Sequence, residues 1–233
     1  MKFPEHIKTI EDRTKYLLDF VENKRLKLGI PYSIEIVAVS KTFPPDAIKK
    51  VINSGITSIG ESRIQEAEKK FLELKGFNFK KHLIGHLQSN KINKAIELFD
   101  VIQSIDSLEI AEKINERLIK RECILPVFIE VNTSGEDSKF GISPEKSLEF
   151  VSEIIKFKNV KVEGFMTIGP NTQDENKIRK SFELLYNIRE KVNQELKIAL
   201  KHLSMGMSDD FEIAIEEGAT IIRPGRIIFG ERN

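Results

Sequence analysis

The sequence is poor in cysteine. A single thiol, Cys123, in 233 residues leaves no internal disulfide framework and suits a reducing compartment. Net charge is just as scant: 37 Lys and Arg against 36 Asp and Glu leave +1 at pH 7, which implies neither nucleic acid nor a strongly anionic surface as partner. No apolar run approaches the roughly 20 residues that span a bilayer, and the start, MKFPEHIKTIEDR, has no apolar signal-peptide core. No linker, low-complexity tract or repeat divides the chain. These absences describe a soluble, cytoplasmic, non-membrane protein with one domain over residues 1–233, long enough to bury a full core.

What is present is organised around IEIVAVSKTFPP, Ile34 to Pro45. Ile34, Ile36, Val37, Ala38 and Val39 form a short β-branched apolar run, as in a strand covered on both faces. The run stops at Ser40-Lys41-Thr42, and Pro44-Pro45 starts a helix. A lysine at the carboxyl end of a core strand is half-desolvated while facing a cleft. Desolvation disfavours the ammonium, so the amine becomes a better nucleophile toward a carbonyl.

Seven further short strands follow: ITSIGES, KKHLIGHLQ, VIQSID, PVFIEVNTSG, VKVEGFMTIGP, LKHLSMG and ATIIRPG. Helical patterns alternate with them, preceded by a helix from Glu5 to about Lys27 and closed by a short one in RIIFGER. Ser143 and Ser208 stand where N-caps are expected. Eight βα units joined by short loops predict an α/β fold, a single (β/α)8 TIM-type barrel with an extra N-terminal helix. An open doubly wound sheet is the weaker reading, because no G-x-G-x-x-G opens the first βα turn.

In a barrel the site lies at the carboxyl ends of the strands. After the seventh strand, LSMGMSDD places Ser204, Gly206 and Ser208 across a turn; after the eighth, RPGRIIFG repeats the arrangement around Gly225. Barrels often hold a phosphate between these two loops. A nucleophilic lysine facing a phosphate cradle suggests a phosphorylated aldehyde, and pyridoxal 5′-phosphate (PLP) is such a cofactor. Arg223, two residues before Gly225, is placed to face its ring nitrogen; arginine keeps its proton and so donates to an unprotonated pyridine. His82 and His86 flank the end of the third strand without a third ligand, so they read as hydrogen-bonded rim histidines and no metal site is expected. Cys123 reads as buried and inert, and Met205, Met207 and Phe229 as packing.

AVSKTFP, IGESRIQEA, HLIGHLQSNK, VNTSGEDSKFGI, GFMTIGP and LSMGMSDDFEIAIEEGATIIRPGRIIFG together resemble the pyridoxal phosphate homeostasis protein family, whose barrel is related to the N-terminal domain of alanine racemase. The resemblance runs from Ala38 to Gly230. It implies a PLP-binding protein without established turnover, which buffers the cofactor or delivers it to PLP-dependent apoenzymes. It further implies that Lys41 carries the Schiff base, that Ser204, Gly206 and the backbone N–H of Met207 form the phosphate loop, and that Gly225 and Arg226 form a second phosphate turn. Arg223 then faces the ring nitrogen and Met166 belongs to the sixth-strand block. Ser62, near the ring, departs from the family's usual Asn; Pro224 and Arg226 are also less usual.

No residue is therefore expected to be catalytic. The alternative is an amino-acid racemase of the same barrel class. Such a racemase draws a tyrosine base from a second, β-rich domain, and the tyrosines here, Tyr16, Tyr32 and Tyr186, stand at no predicted strand end. A class I aldolase, with a Schiff-base lysine and no cofactor, is a third reading. A monomer is expected.

Overall fold

The computed structural model describes residues 4, 5 and 7–231. The first helix, α1 (Ile10–Lys27), starts later than its apolar spacing suggests, because Thr9 and Asp12 close a reciprocal capping box there; His6, inside the expected span, lies outside the described residues. Eight strand–helix units follow: β1 (Glu35–Val39) and α2 (Pro45–Asn53), β2 (Ser58–Glu61) and α3 (Ile64–Glu73), β3 (Lys80–Leu83) and α4 (Ile92–Leu98), β4 (Val101–Ile105) and α5 (Leu108–Ile119). The second half continues with β5 (Leu125–Glu130) and α6 (Ser147–Ile154), β6 (Val160–Met166) and α7 (Glu175–Leu196), β7 (His202–Ser204) and α8 (Phe211–Glu216), β8 (Ile221–Ile222) and α9 (Arg226–Phe229). All eight strands pair in parallel and in sequence order, and β8 closes on β1 through Glu35 opposite Ile221. The expected (β/α)8 barrel is what forms, and α1 packs against α2 and α9 across the closing seam.

Two apolar populations separate along each strand with the two-residue period of a pleated sheet. Ile36, Ala38, Ile59, Leu83, Ile102, Ile129, Phe165, Leu203 and Ile222 face outward into the layer covered by helices. Val37, Val101, Phe128, Met166 and Ile221 fill the barrel interior as a small separate cluster. Gly164 stands on β6 hard against β7: a Cβ there would lie 1.9 Å from the His202 carbonyl oxygen. Gly164→Ala is expected to destabilise the protein by about 3 kcal/mol, at the upper end for overpacking, read as a lower urea midpoint at unchanged slope.

Three local expectations are corrected. Ser143 caps no α-helix: Pro144–Lys146 is a single 3₁₀ turn, Ser143 makes no side-chain cap bond, and α6 begins only at Ser147. Ser208 does not cap α8, whose N-cap position is Asp210, because the turn after β7 runs on two residues further. Cys123 is exposed, in the tight turn between α5 and β5.

Candidate cofactor-binding cleft

Lys41 lies two residues past β1, on a turn that is held on both sides. Ser40 is fully buried; its hydroxyl donates to Glu61 Oε1 at 2.6 Å, and its carbonyl accepts from Lys70 Nζ at 2.7 Å. On the other side Thr42 has φ of 72°, a left-handed conformation unfavourable for a β-branched residue. Its N–H donates to Glu66 Oε1 at 2.6 Å. Lys70, itself buried, bridges both carboxylates at 2.7 Å each. Burial pushes the Glu61 carboxyl up, while Lys70 and Ser40 pull it back. Glu61 Oε2 is buried without a partner. Glu61 is thus part of a buried brace from β2 and α3 that sets the Lys41 turn.

Lys41 lines a cleft of about 380 Å³ at the carboxyl end of the barrel, with Val39, Ser62, Ile84 and Ile168 on its walls. That size is within the range of small-molecule sites. Met207, Ser208, Arg223, Gly225 and Arg226 complete it. Of the site residues inferred from sequence, Lys41, Ser62, Met207, Arg223, Gly225 and Arg226 therefore meet in one place. A larger groove of about 480 Å³ between α1 and α8 contains none of them.

Met166 and Ser204 do not line the cleft. Met166 is fully buried in the interior cluster below it. Ser204, also fully buried, points into the barrel, where its hydroxyl accepts from Arg223 at 2.7 Å and donates to Gln103 Oε1 at 2.6 Å. The backbone N–H of Met207, expected to face a phosphate, donates to Asp210 Oδ1 at 2.5 Å. Met207 is partly exposed on the cleft wall rather than packed inside. Gly206 shapes the turn: with φ of 90°, its Cβ would sit 2.5 Å from that of Ala214, so only glycine lets the loop lie this close to α8.

Of the two hydroxyls in LSMGMSDD, the one that lines the cleft is Ser208. Its Oγ accepts from the N–H groups of Gly225 at 3.1 Å and Ile227 at 3.2 Å, so two backbone donors from the loop after β8 converge on one oxygen. The signal was visible as a second hydroxyl in LSMGMSDD, four residues after Ser204 and hence beyond the strand. Arg226 pairs with Asp209 and reaches toward Glu231 at 3.6 Å, which places its charge on the rim.

Arg223 forms the back of the cleft at 3% exposure. It donates to Ser204 Oγ and, at 2.6 Å, to the Thr167 carbonyl, and forms no direct bond to Asp209 or Asp210. Burial lowers its guanidinium to about 10, against the opposing pull of Glu130 and Asp210, so it remains a cation at neutral pH. Glu130, at the end of β5, is pushed up to about 7 by burial and by the Asp106 carboxylate. A raised carboxyl stabilises the fold in acid and loses that contribution as pH rises through its folded value. From pH 4.5 to about 7, Glu130 is expected to give up about 3 kcal/mol, and Glu130→Gln to flatten that segment of the stability–pH curve measured by denaturant melts.

The two histidines separate. His86 sits at the mouth, 3.3 Å from Asp106 and stacked on Phe140. His82, expected on the rim, is fully buried inside the barrel, with Nδ1 2.8 Å from Gln103 Nε2. Among the described residues no His, Cys, Asp and Glu cluster has metal-binding geometry, and no helix is long and apolar enough to cross a membrane.

Residues 24–233 match the family described as alanine racemase, N-terminal domain. A pyridoxal phosphate homeostasis protein of Aquifex aeolicus is 42% identical over 198 residues, covering 85% of this chain and 87% of the relative. PipY of Synechococcus elongatus, solved with PLP bound, superposes with a TM-score of 0.82 at 30% identity, covering 95% of this chain and 100% of PipY. Alanine racemase of Clostridium difficile shares the fold, with a TM-score of 0.74 at 18% identity, but only 59% of that chain is covered.

Proposed function

Because the chain belongs to the pyridoxal phosphate homeostasis protein family, within the wider alanine racemase N-terminal domain family, we propose that its cleft holds PLP as a Schiff base on Lys41 and that it buffers or delivers the cofactor without turning over a substrate. The observation that carries this reading is the meeting of three chemistries in one cleft: an amine at Lys41, a buried guanidinium at Arg223, and backbone donors of Gly225 and Ile227 gathered at Ser208. PLP presents an aldehyde, a pyridine nitrogen and a phosphate, and the three groups answer these in kind. When bound, PLP supplies an electrophilic carbonyl conjugated to an electron-accepting ring; a ring facing arginine stays unprotonated and is a poorer electron sink, which suits storage better than turnover.

In this reading Ser208 and the two N–H groups beside it take the phosphate, Gly206 shapes their loop, and Arg226 adds positive charge at the rim. Ser62 stands at the wall near Lys41. Ser204 acts on the ring through Arg223 and not on the phosphate. Ser208→Ala is expected to weaken PLP retention about three- to tenfold, the effect of one lost hydrogen bond, measured by equilibrium dialysis against PLP. Unchanged retention would remove the phosphate from this loop.

The racemase reading finds little support. None of the three tyrosines lines the cleft. Exchange between D- and L-alanine above a Lys41→Ala control would reinstate it. The protein is further read as a cytoplasmic monomer that passes PLP to apoenzymes; light scattering checks the first point, and reactivation of a PLP-depleted enzyme by the loaded protein the second.

A further inference from the structure

A single file of polar side chains runs down the barrel from the cleft, buried from Arg223 to His82 and half-buried at its far end, Glu35. Arg223 donates to Ser204 at 2.7 Å, Ser204 to Gln103 at 2.6 Å, and Gln103 lies 2.8 Å from His82 Nδ1. His82 Nε2 faces Glu35 Oε1 at 3.5 Å and makes no hydrogen bond of its own. Glu35 also accepts from Ser58 at 2.6 Å. These groups come from β1, β2, β3, β4, β7 and the loop after β8, so the file exists only in the closed barrel.

Both ends of the file have fixed polarity. A guanidinium donates and never accepts, and an ionised carboxylate accepts and never donates. Burial would raise the Glu35 carboxyl, but His82 and Ser58 outweigh it and hold it at about 2, so it is ionised. Ser204 must then accept from Arg223 and turn its own hydrogen to Gln103 Oε1. That fixes the Gln103 amide with its nitrogen toward His82, which leaves Nδ1 as acceptor and the imidazole proton on Nε2, facing Glu35. With this tautomer the hydrogen bonds of the file all run in one direction. The surrounding Val37, Val101, Phe128, Met166 and Ile221 offer no alternative partners, and in such surroundings successive hydrogen bonds polarise one another.

We propose that Gln103 and His82, buried outside the cleft, are positioning residues that hold Arg223 in register with the ring nitrogen of bound PLP. The proposal rests on the PLP reading above. Without Gln103, the Ser204 hydroxyl has no acceptor and rotates, and the Arg223 guanidinium keeps only the Thr167 carbonyl as a fixed anchor. The ring nitrogen then faces a looser donor and takes up a proton more readily. A role confined to satisfying buried polar groups would alter folding stability and leave the ring nitrogen as it was.

The test uses PLP labelled with ¹⁵N in its ring, bound to the wild type, Gln103→Leu, Ser204→Ala and the double variant. Borohydride reduction and mass measurement first establish that each protein carries the cofactor on Lys41. The ring-nitrogen shift is then followed against pH. The proposal expects proton affinity to rise about tenfold in either single variant, and no further in the double variant, since both substitutions cut the same file. His82→Leu, one link further away, moves it in the same direction by less. Glu130 and Asp210, the carboxylates whose field reaches Arg223, are unchanged throughout. Should Gln103→Leu not fold, Ser204→Ala and His82→Leu still decide. Equal ring-nitrogen titration in wild type and variants, or additive changes in the double variant, would overturn the proposal. A wild type that carries no PLP would overturn the binding reading on which it rests.

Discussion

Lys70→Met is expected to destabilise the protein by about 3–5 kcal/mol, the usual cost of leaving one partner of a buried ion pair alone. Lys70 is buried against Glu61 and Glu66 at 2.7 Å each and also donates to the Ser40 carbonyl. Methionine fills much of the same volume, so the loss is one of charge and hydrogen bonds. Glu61 would keep only the Ser40 hydroxyl, having one carboxylate oxygen unpartnered already. Its carboxyl is raised by burial even beside Lys70 and must rise further without it. The sign follows: a carboxyl whose folded value is raised stabilises in acid and loses that contribution as pH climbs through that value. The Lys70→Met deficit is therefore smallest in acid and grows toward neutral pH. Adding Glu61→Gln, which keeps an acceptor for Ser40 but carries no charge, is expected to return a large part of the loss, because removing a whole buried pair costs far less than breaking it. The function should follow the fold. The brace holds Ser40 and Thr42 on either side of Lys41, and the left-handed Thr42 stores about 1–3 kcal/mol of strain that persists only while Glu66 pins its N–H. Lys70→Met should accordingly load PLP more slowly and less completely than wild type at temperatures where both are folded. Equal loading would show that the brace serves stability alone.

The barrel was legible because the strands obey simple rules. An apolar β-branched run ended by Ser40-Lys41-Thr42, and followed by two prolines, states where β1 stops and α2 starts. Lys41, Arg223, Gly225 and Arg226 were likewise legible from their positions just past strands one and eight. The places where the structure departs from the sequence pattern share a cause. Ser204 and Ser208 look equivalent in LSMGMSDD, but one is still on the strand with its side chain turned into the barrel, and the other lies beyond it on the cleft wall. Strand β7 is three residues long, and no sequence period resolves so short an element. His82 and Gln103 were missed for a related reason. A polar residue facing the inside of a barrel reads the same in sequence as one facing solvent, and only closure brings β3, β4 and β7 together. Glu61 and Lys70 form a pair nine residues apart across a strand–helix turn, a spacing that belongs to no regular element. Residue type alone makes Cys123 buried, whereas a turn between α5 and β5 leaves it exposed.

The second large effect is the loss of covalent PLP from Lys41→Ala. Lys41 has no substitute on the cleft wall. Arg226, the other basic group there besides Arg223, is a guanidinium, which stays protonated and is no nucleophile. Alanine leaves the cleft and the Ser208 cradle in place, so non-covalent binding through phosphate and ring persists while the Schiff base cannot form. The measurement is the visible absorption of purified wild type and Lys41→Ala, each with and without added PLP, followed by borohydride reduction and peptide mass. The expected result is a band above about 400 nm, where such Schiff bases absorb, in the wild type alone, with the reduced cofactor mapped to the peptide carrying Lys41. A band of equal strength in Lys41→Ala, or a cofactor mapped to another lysine, would contradict the account at its centre. No band in either protein would leave a phosphate-binding barrel with another ligand, and the aldolase reading would then come first.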